Sequence, residues 1–216
     1  MVSPFVFFAD ERLSLAELTA ACLDGHLVAL GEGFIPADAV ETPWMRARSL
    51  LPLLGSRWAA TRSTAAWIHG AAMGEPSRHH LQRVSATRVR TVSGGRVEFH
   101  DVRLALSDVE VVAGVHVTSP TRTLVDLARS DDEGECRLAR AWAQRAPLLR
   151  LTAAEWLRRH PQFPHGRRAT RILDEAPDDV GGGSGGADGA DLEPGPTTET
   201  PPRPSSTTRV GPSRTR

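Results

Sequence analysis

An α+β fold is what this sequence predicts: a remnant winged-helix segment, then a small, mostly antiparallel sheet packed with helices, then a tail that does not fold. Three observations carry that prediction. Capped helical patterns fill residues 13–70 and return after Ser119, and period-two alternation occupies Leu81 to Val117. Beyond Pro177 the chain is Gly, Ser, Thr, Pro and Asp with almost no large apolar side chain, so it cannot bury enough surface to order itself. The expected divisions are 1–55, 56–176 and a disordered tail over 177–216.

Ser14-Leu15-Ala16-Glu17 is a capping box, with Leu13 and Leu18 spaced as a hydrophobic staple, so a helix starts at Leu15; Gly25 is placed to end it. HLVALGEGFIPAD follows as two short strands around Gly31-Glu32-Gly33, where glycine supplies the positive φ of a tight hairpin. Helix then hairpin is the second half of a winged helix. Thr42-Pro43 opens another helix, which Pro52 must kink or end, with Arg46 and Arg48 projecting from its polar side. ATRSTAAWIHG (60–70) reads as a small-residue packing helix closed by Gly70.

In the alternating region Val97 and Phe99 share a face, the phase slips near His100-Asp101, and Val102, Leu104 and Leu106 alternate again. Gly94-Gly95 and Ala113-Gly114 punctuate the strands. Ser119 is a good N-cap and Pro120 a preferred first helical residue, so SPTRTLVDLA leaves the sheet as a helix. Ser130 with Glu133 and Thr152 with Glu155 read as two further capping boxes, and a last helix spans about 167–175.

Composition excludes several chemistries. All 26 basic residues are arginine, which removes P-loop, kinase and Schiff-base sites and the usual lysine-containing nuclease site. Cys22 and Cys136 stand alone, outside any C-x-x-C, and read as reduced thiols of a cytoplasmic protein. PFVFFA runs straight into Asp10-Glu11 without a basic flank, which is wrong for a signal peptide, and no apolar run is long enough to span a membrane. His79-His80 and the His160/His165 pair lack acids or cysteines at ligand spacing in the sequence, so no metal, cofactor or catalytic residue is expected.

The net charge of zero is unevenly spread: residues 1–45 hold seven acids and one arginine, whereas 46–130 hold twelve arginines and six acids. A polyanion meets the middle of the chain first. Arg46, Arg48, Arg57 and Arg62 are the candidate nucleic-acid contacts, and Arg83, Arg88, Arg90 and Arg96, alternating with apolar residues, the candidate partner patch.

The series RSTAAWIHG, VEFHDV and GVHVTSPTRTLVDLAR resembles the AbiEi family of antitoxins of type IV toxin-antitoxin systems, in its actinobacterial form, over roughly residues 13–176. Ser63, Ala65, Ala66, Trp67, His69 and Gly70 match the small-residue helix. Gly114, Val117, Thr118, Ser119, Pro120, Arg122, Thr123, Leu124, Asp126 and Leu127 match the strand-to-helix corner. The resemblance implies a DNA-binding autorepressor whose antitoxin domain, here 56–176, counteracts a nucleotidyltransferase-type toxin encoded beside it. A complete winged helix needs two helices before Ser14, more than the 13 residues present provide, so weak DNA binding is expected. The alternative is a protein-interaction module that has lost DNA binding.

Overall fold

The computed structural model describes residues 5–87 and 95–175. The expected disordered tail, together with Arg88 and Arg90, lies outside the described residues. Helix α1 (Leu15–Leu23) begins where the capping box places it: the Ser14 hydroxyl accepts from the Glu17 amide, and the Glu17 carboxylate accepts from the Ser14 amide. Leu18 is buried beneath it. Strands β1 (Leu27–Leu30) and β2 (Gly33–Pro36) form the antiparallel hairpin, and β2 bridges back to the N-terminal segment through Phe7 and Phe34. Thr42 caps α2 (Pro43–Ser49), and Pro52 falls in the next turn, α3 (Leu51–Leu54).

The main sheet is built from β3 (Trp58–Ala60), β4 (His79–Arg83), β5 (Val97–His100), β6 (Val109–Val112) and β7 (Val115–Thr118) in the order β5-β4-β3-β7-β6. The α+β class is the one expected. The sheet itself is mixed, since β3–β4 and β6–β7 are antiparallel while β3–β7 and β4–β5 run parallel. Neither parallel pair is joined by a tight turn: residues 84–96 separate β4 from β5, and β4, β5 and β6 all intervene between β3 and β7, while helix α4 (Arg62–Ile68) links the antiparallel pair β3 and β4. Residues 102–106 are not a strand: the chain leaves β5 and drops Leu104 into a small core with Ala59 and Val84, and a 3₁₀ turn at Leu106–Asp108 leads into β6. The β6–β7 turn uses positive φ at both Ala113 and Gly114, the geometry of a two-residue hairpin.

One face of this sheet is apolar. Ala60, Leu81, Val115 and Val117 join Leu30, Ile35, Met45, Leu50 and Trp67 in a core that the N-terminal hairpin and α2 help to close. A second core unites α5 (Pro120–Ala128), α6 (Glu133–Arg145), α7 (Pro147–Arg159) and α8 (Gly166–Asp174). Two helix starts differ from expectation. Asp132, not Ser130, caps α6 by accepting from the Glu135 amide, because an aspartate two residues on offers the same spacing to the next acid. Thr152 lies inside α7, which opens at Pro147, and its hydroxyl donates back to the Leu149 carbonyl. Cys22 and Cys136 are free thiols. No described helix is long and apolar enough to cross a membrane.

Candidate functional site

The corner that closes β7 and opens α5 is a hub. Ser119 accepts from the Arg122 amide, Thr123 Oγ1 donates to the Thr118 carbonyl at 3.0 Å, and the two threonine hydroxyls are 2.7 Å apart. Arg122 is buried and forked: Nε donates to Asp126 Oδ2 at 2.8 Å and Nη1 to Asp108 Oδ2 at 2.7 Å. Its guanidinium lies over Trp156 and Phe163, each 5.1 Å to the ring centroid. Burial works against the charge, but the two carboxylates outweigh it and hold the Arg122 pKa above its ordinary value. His69 ties the small-residue helix to the same corner, its Nε2 donating to the Thr118 carbonyl at 2.8 Å. Thr118, Ser119, Pro120, Arg122, Thr123 and Asp126 therefore hold strand, helix and 3₁₀ turn in register.

The arginines expected to meet nucleic acid separate into classes. Arg46 is buried against Trp67, donating to the carbonyls of Trp67 and Ala72 and pairing with Glu41, so its donors are already engaged. Arg57 is exposed and Arg48 half-buried. Arg62 is turned inward. In the partner patch, Arg83 is buried and bonded to Asp101 and to the carbonyls of Ser85 and Ala86, while Arg96 reaches Glu75 and Glu32.

Arg62 organises a cleft that sequence reasoning missed. It opens α4 with φ at +51°, a left-handed conformation that costs a non-glycine residue on the order of 1–3 kcal/mol. Its Nη2 donates to Ser130 Oγ at 3.2 Å, and its Nε stands 3.4 Å from Glu135 Oε2. It borders two cavities. One, about 600 Å³, lies between β4–β5 and the start of α6; the other, about 360 Å³, lies between the sheet, α5 and the α7–α8 connector.

The polar face of β4–β5 looks into this cleft. In the parallel register His80 pairs with Glu98 and Gln82 with His100, which sets His80, Glu98 and His100 on one face and sends His79 to the other, against Glu75 and Trp67. Ligand atoms of His80, Glu98 and His100 all lie within 4.8 Å of one another. Burial is the first cause of lowered pKa values for both His80 and His100, with Arg62 pushing the same way. The sequence signal was Glu98-Phe-His100, two positions apart in a strand and so on one side; only the pairing with β4 adds His80.

No curated protein matches the chain. Among solved structures, the RV2827C protein from Mycobacterium tuberculosis is similar at 17% identity over 76% of this chain and 70% of that one, with a TM-score of 0.31, too distant a likeness to bear on fold or function. Residues 58–158 match the family model described as the AbiEi antitoxin C-terminal domain. The match starts at the first residue of β3 and ends inside α7, so it takes in the whole main sheet, Arg62 and the fork that Arg122 makes with Asp108 and Asp126. Through this segment the chain is similar to the AbiEi antitoxin family.

Proposed function

We propose that this protein is a non-enzymatic antitoxin that neutralises a nucleotidyltransferase-type toxin and regulates its own operon. The family match over 58–158 is the observation that supports this reading. The motif side chains are spent on the interior, which leaves toxin contact to the outer surface of the same domain. Co-expression with the product of the neighbouring gene tests it. Growth arrest by that product, relieved by this chain, is the expected result; arrest that persists at equal or greater antitoxin expression overturns the reading.

One observation favours a second reading for the N-terminal part, that of a protein-interaction module without DNA binding. Helix α1 and the β1–β2 hairpin carry Glu17, Asp24, Glu32 and Asp38 and no arginine or lysine, whereas duplex affinity comes mainly from neutralised phosphates. Electrophoretic mobility shifts on the DNA upstream of the operon separate the two. Operator-specific retention at physiological salt supports the regulator, and its absence supports the interaction module.

A further inference from the structure

We propose that His80, Glu98 and His100 form a binding site for one divalent transition-metal ion of the zinc class. Glu135 serves as the carboxylate that orients His80 from behind.

The nitrogen pair is the first ground. His80 Nδ1 and His100 Nε2 face each other at 3.2 Å, with the rings nearly parallel at 5.4 Å between centroids. A tetrahedral ion with bonds of about 2.0–2.1 Å places two ligand nitrogens about 3.3 Å apart, so the pair already has the spacing that such an ion requires. Glu98 completes a triangle, with Oε1 3.8 Å from His100 Nε2 and Oε2 3.9 Å from His80 Nδ1. One coordination position remains toward the 600 Å³ cleft, open to water.

The second ground is independent of the triangle. Both oxygens of Glu135 are shielded and have no hydrogen-bond partner among the described residues, and Oε1 sits 3.8 Å from His80 Nε2. Oε2 has the Arg62 charge beside it at 3.4 Å, while Oε1 faces the His80 ring; a buried carboxylate oxygen without a hydrogen bond is costly, and it fixes the tautomer of the nearest imidazole by drawing the proton to the nitrogen that faces it. Glu135 thereby keeps the His80 proton on Nε2 and presents the Nδ1 lone pair to Glu98 and His100. Metal-bound histidines commonly have a carboxylate in that position. Burial also favours the neutral, ligating form of both rings.

The surrounding charges select the kind of ion. Arg62 lies against Glu135 and Arg78 lies 3.9 Å from Glu98, so the negative charge is partly offset and the nitrogen donors become the main attraction. Magnesium and calcium, which need oxygen-rich shells, are disfavoured; zinc, cobalt and nickel suit two imidazoles and a carboxylate.

Zinc titration of the full chain, made without a histidine tag and stripped with a chelator, tests the site. One equivalent should bind at micromolar or tighter affinity, cobalt should give the visible absorption of a low-coordinate site, and magnesium should not compete. Glu98→Gln, at the rim of the cleft, and His100→Ala should each weaken binding at least about tenfold. Glu135→Gln, which never touches the ion, should weaken it by about 10- to 100-fold. Circular dichroism of each variant in chelator establishes that it folds. Should a histidine variant unfold, nitrogen NMR of the wild-type rings decides: zinc must shift His80 Nδ1 and His100 Nε2 while the His80 proton stays on Nε2. Absence of saturable micromolar binding, or binding of unchanged affinity in folded Glu98→Gln and His100→Ala proteins, overturns the proposal.

Discussion

Arg122 and Trp156 hold one carboxylate between them: the guanidinium donates to Asp108 Oδ2, the indole N–H donates to Asp108 Oδ1 at 3.1 Å, and the two donors lie face to face. Asp108 stands at the end of the 3₁₀ turn before β6, Arg122 in the first turn of α5, and Trp156 in α7. Three elements distant in sequence meet on one acid.

Removing the cation from that arrangement takes the main charge partner from two buried acids, leaving Asp108 to the Trp156 indole and Asp126 to Arg129. Arg122→Ala is expected to destabilise the protein by about 3–5 kcal/mol, the usual consequence of breaking a buried pair from one side. Arg122→Lys recovers only part, because a point charge cannot serve Asp108 and Asp126 as a fork does. Urea denaturation of both variants measures the difference.

Ser119→Ala removes one cap and should cost about 0.5–2 kcal/mol. Toxin neutralisation by the protein that remains folded should be unchanged, since the Ser119 hydroxyl is engaged by the Arg122 amide at the helix start. Loss of rescue at an unaltered melting temperature would assign the helix start a contact role instead.

Arg46 and the pair Arg48 and Arg57 should separate cleanly. Arg46→Ala removes the donor to the Ala72 carbonyl, while the Trp67 carbonyl keeps the Gly70 amide, and is expected to lower stability by about 1–3 kcal/mol. Changing Arg48 and Arg57 to alanine should leave stability nearly unchanged and flatten the salt dependence of any DNA binding. With Arg46 engaged internally, three or fewer phosphates are neutralised per chain, giving a log-log slope no steeper than about −3. A filter-binding salt series reads it directly.

Acid should loosen the fold through its histidines. Burial comes first among the causes that push the pKa values of His79, His80 and His100 below the ordinary 6.5. A histidine that is harder to protonate when folded contributes stability that is complete above its unfolded pKa and is lost as pH falls below it toward the folded value. In chelator, the melting temperature should therefore decline from about pH 7 downward, before the carboxylates titrate. His100→Asn should make the decline shallower; an unchanged slope would show that His100 is not responsible.

Gly31 takes φ of +56°, and a Cβ there would collide with the Ser49 hydroxyl and press on Leu50 at 3.1 Å. Gly31→Ala should therefore destabilise by more than the strain of its backbone alone, which is about 1–2 kcal/mol. Thermal denaturation beside a Glu32→Ala control checks this.

Signals confined to a few neighbouring residues were legible in the sequence. The Ser14 box, the Gly31 turn, the Thr42-Pro43 start and the Ser119-Pro120 corner each depend on local backbone chemistry, and each stands where it was read. Strand β3 went unread, with only its last residue, Ala60, counted in the following helix, because Trp58-Ala59-Ala60 is apolar throughout and too short to alternate. Thr152 imitated a cap because spacing alone does not reveal that Pro147 had already opened the helix. Arg46 looked like a surface group since its acceptors are backbone carbonyls more than twenty residues away. The His80, Glu98 and His100 cluster depends on strand register, which a linear pattern does not carry.

Strand β3 sits at the middle of the sheet with only three residues, and its parallel neighbour β7 pairs Ala59 with His116 and Ala60 with Val117. Closing so long a loop costs entropy that no local contact repays in advance. On a ribosome, the centre of the sheet must wait until the chain beyond Thr118 has emerged, and the Arg122 fork only then finds Asp108. Between the emergence of β4 and that of β7 the nascent chain thus carries the inner edge of β3 unpaired, so a protease acting during that interval meets an unprotected strand that the finished protein no longer offers.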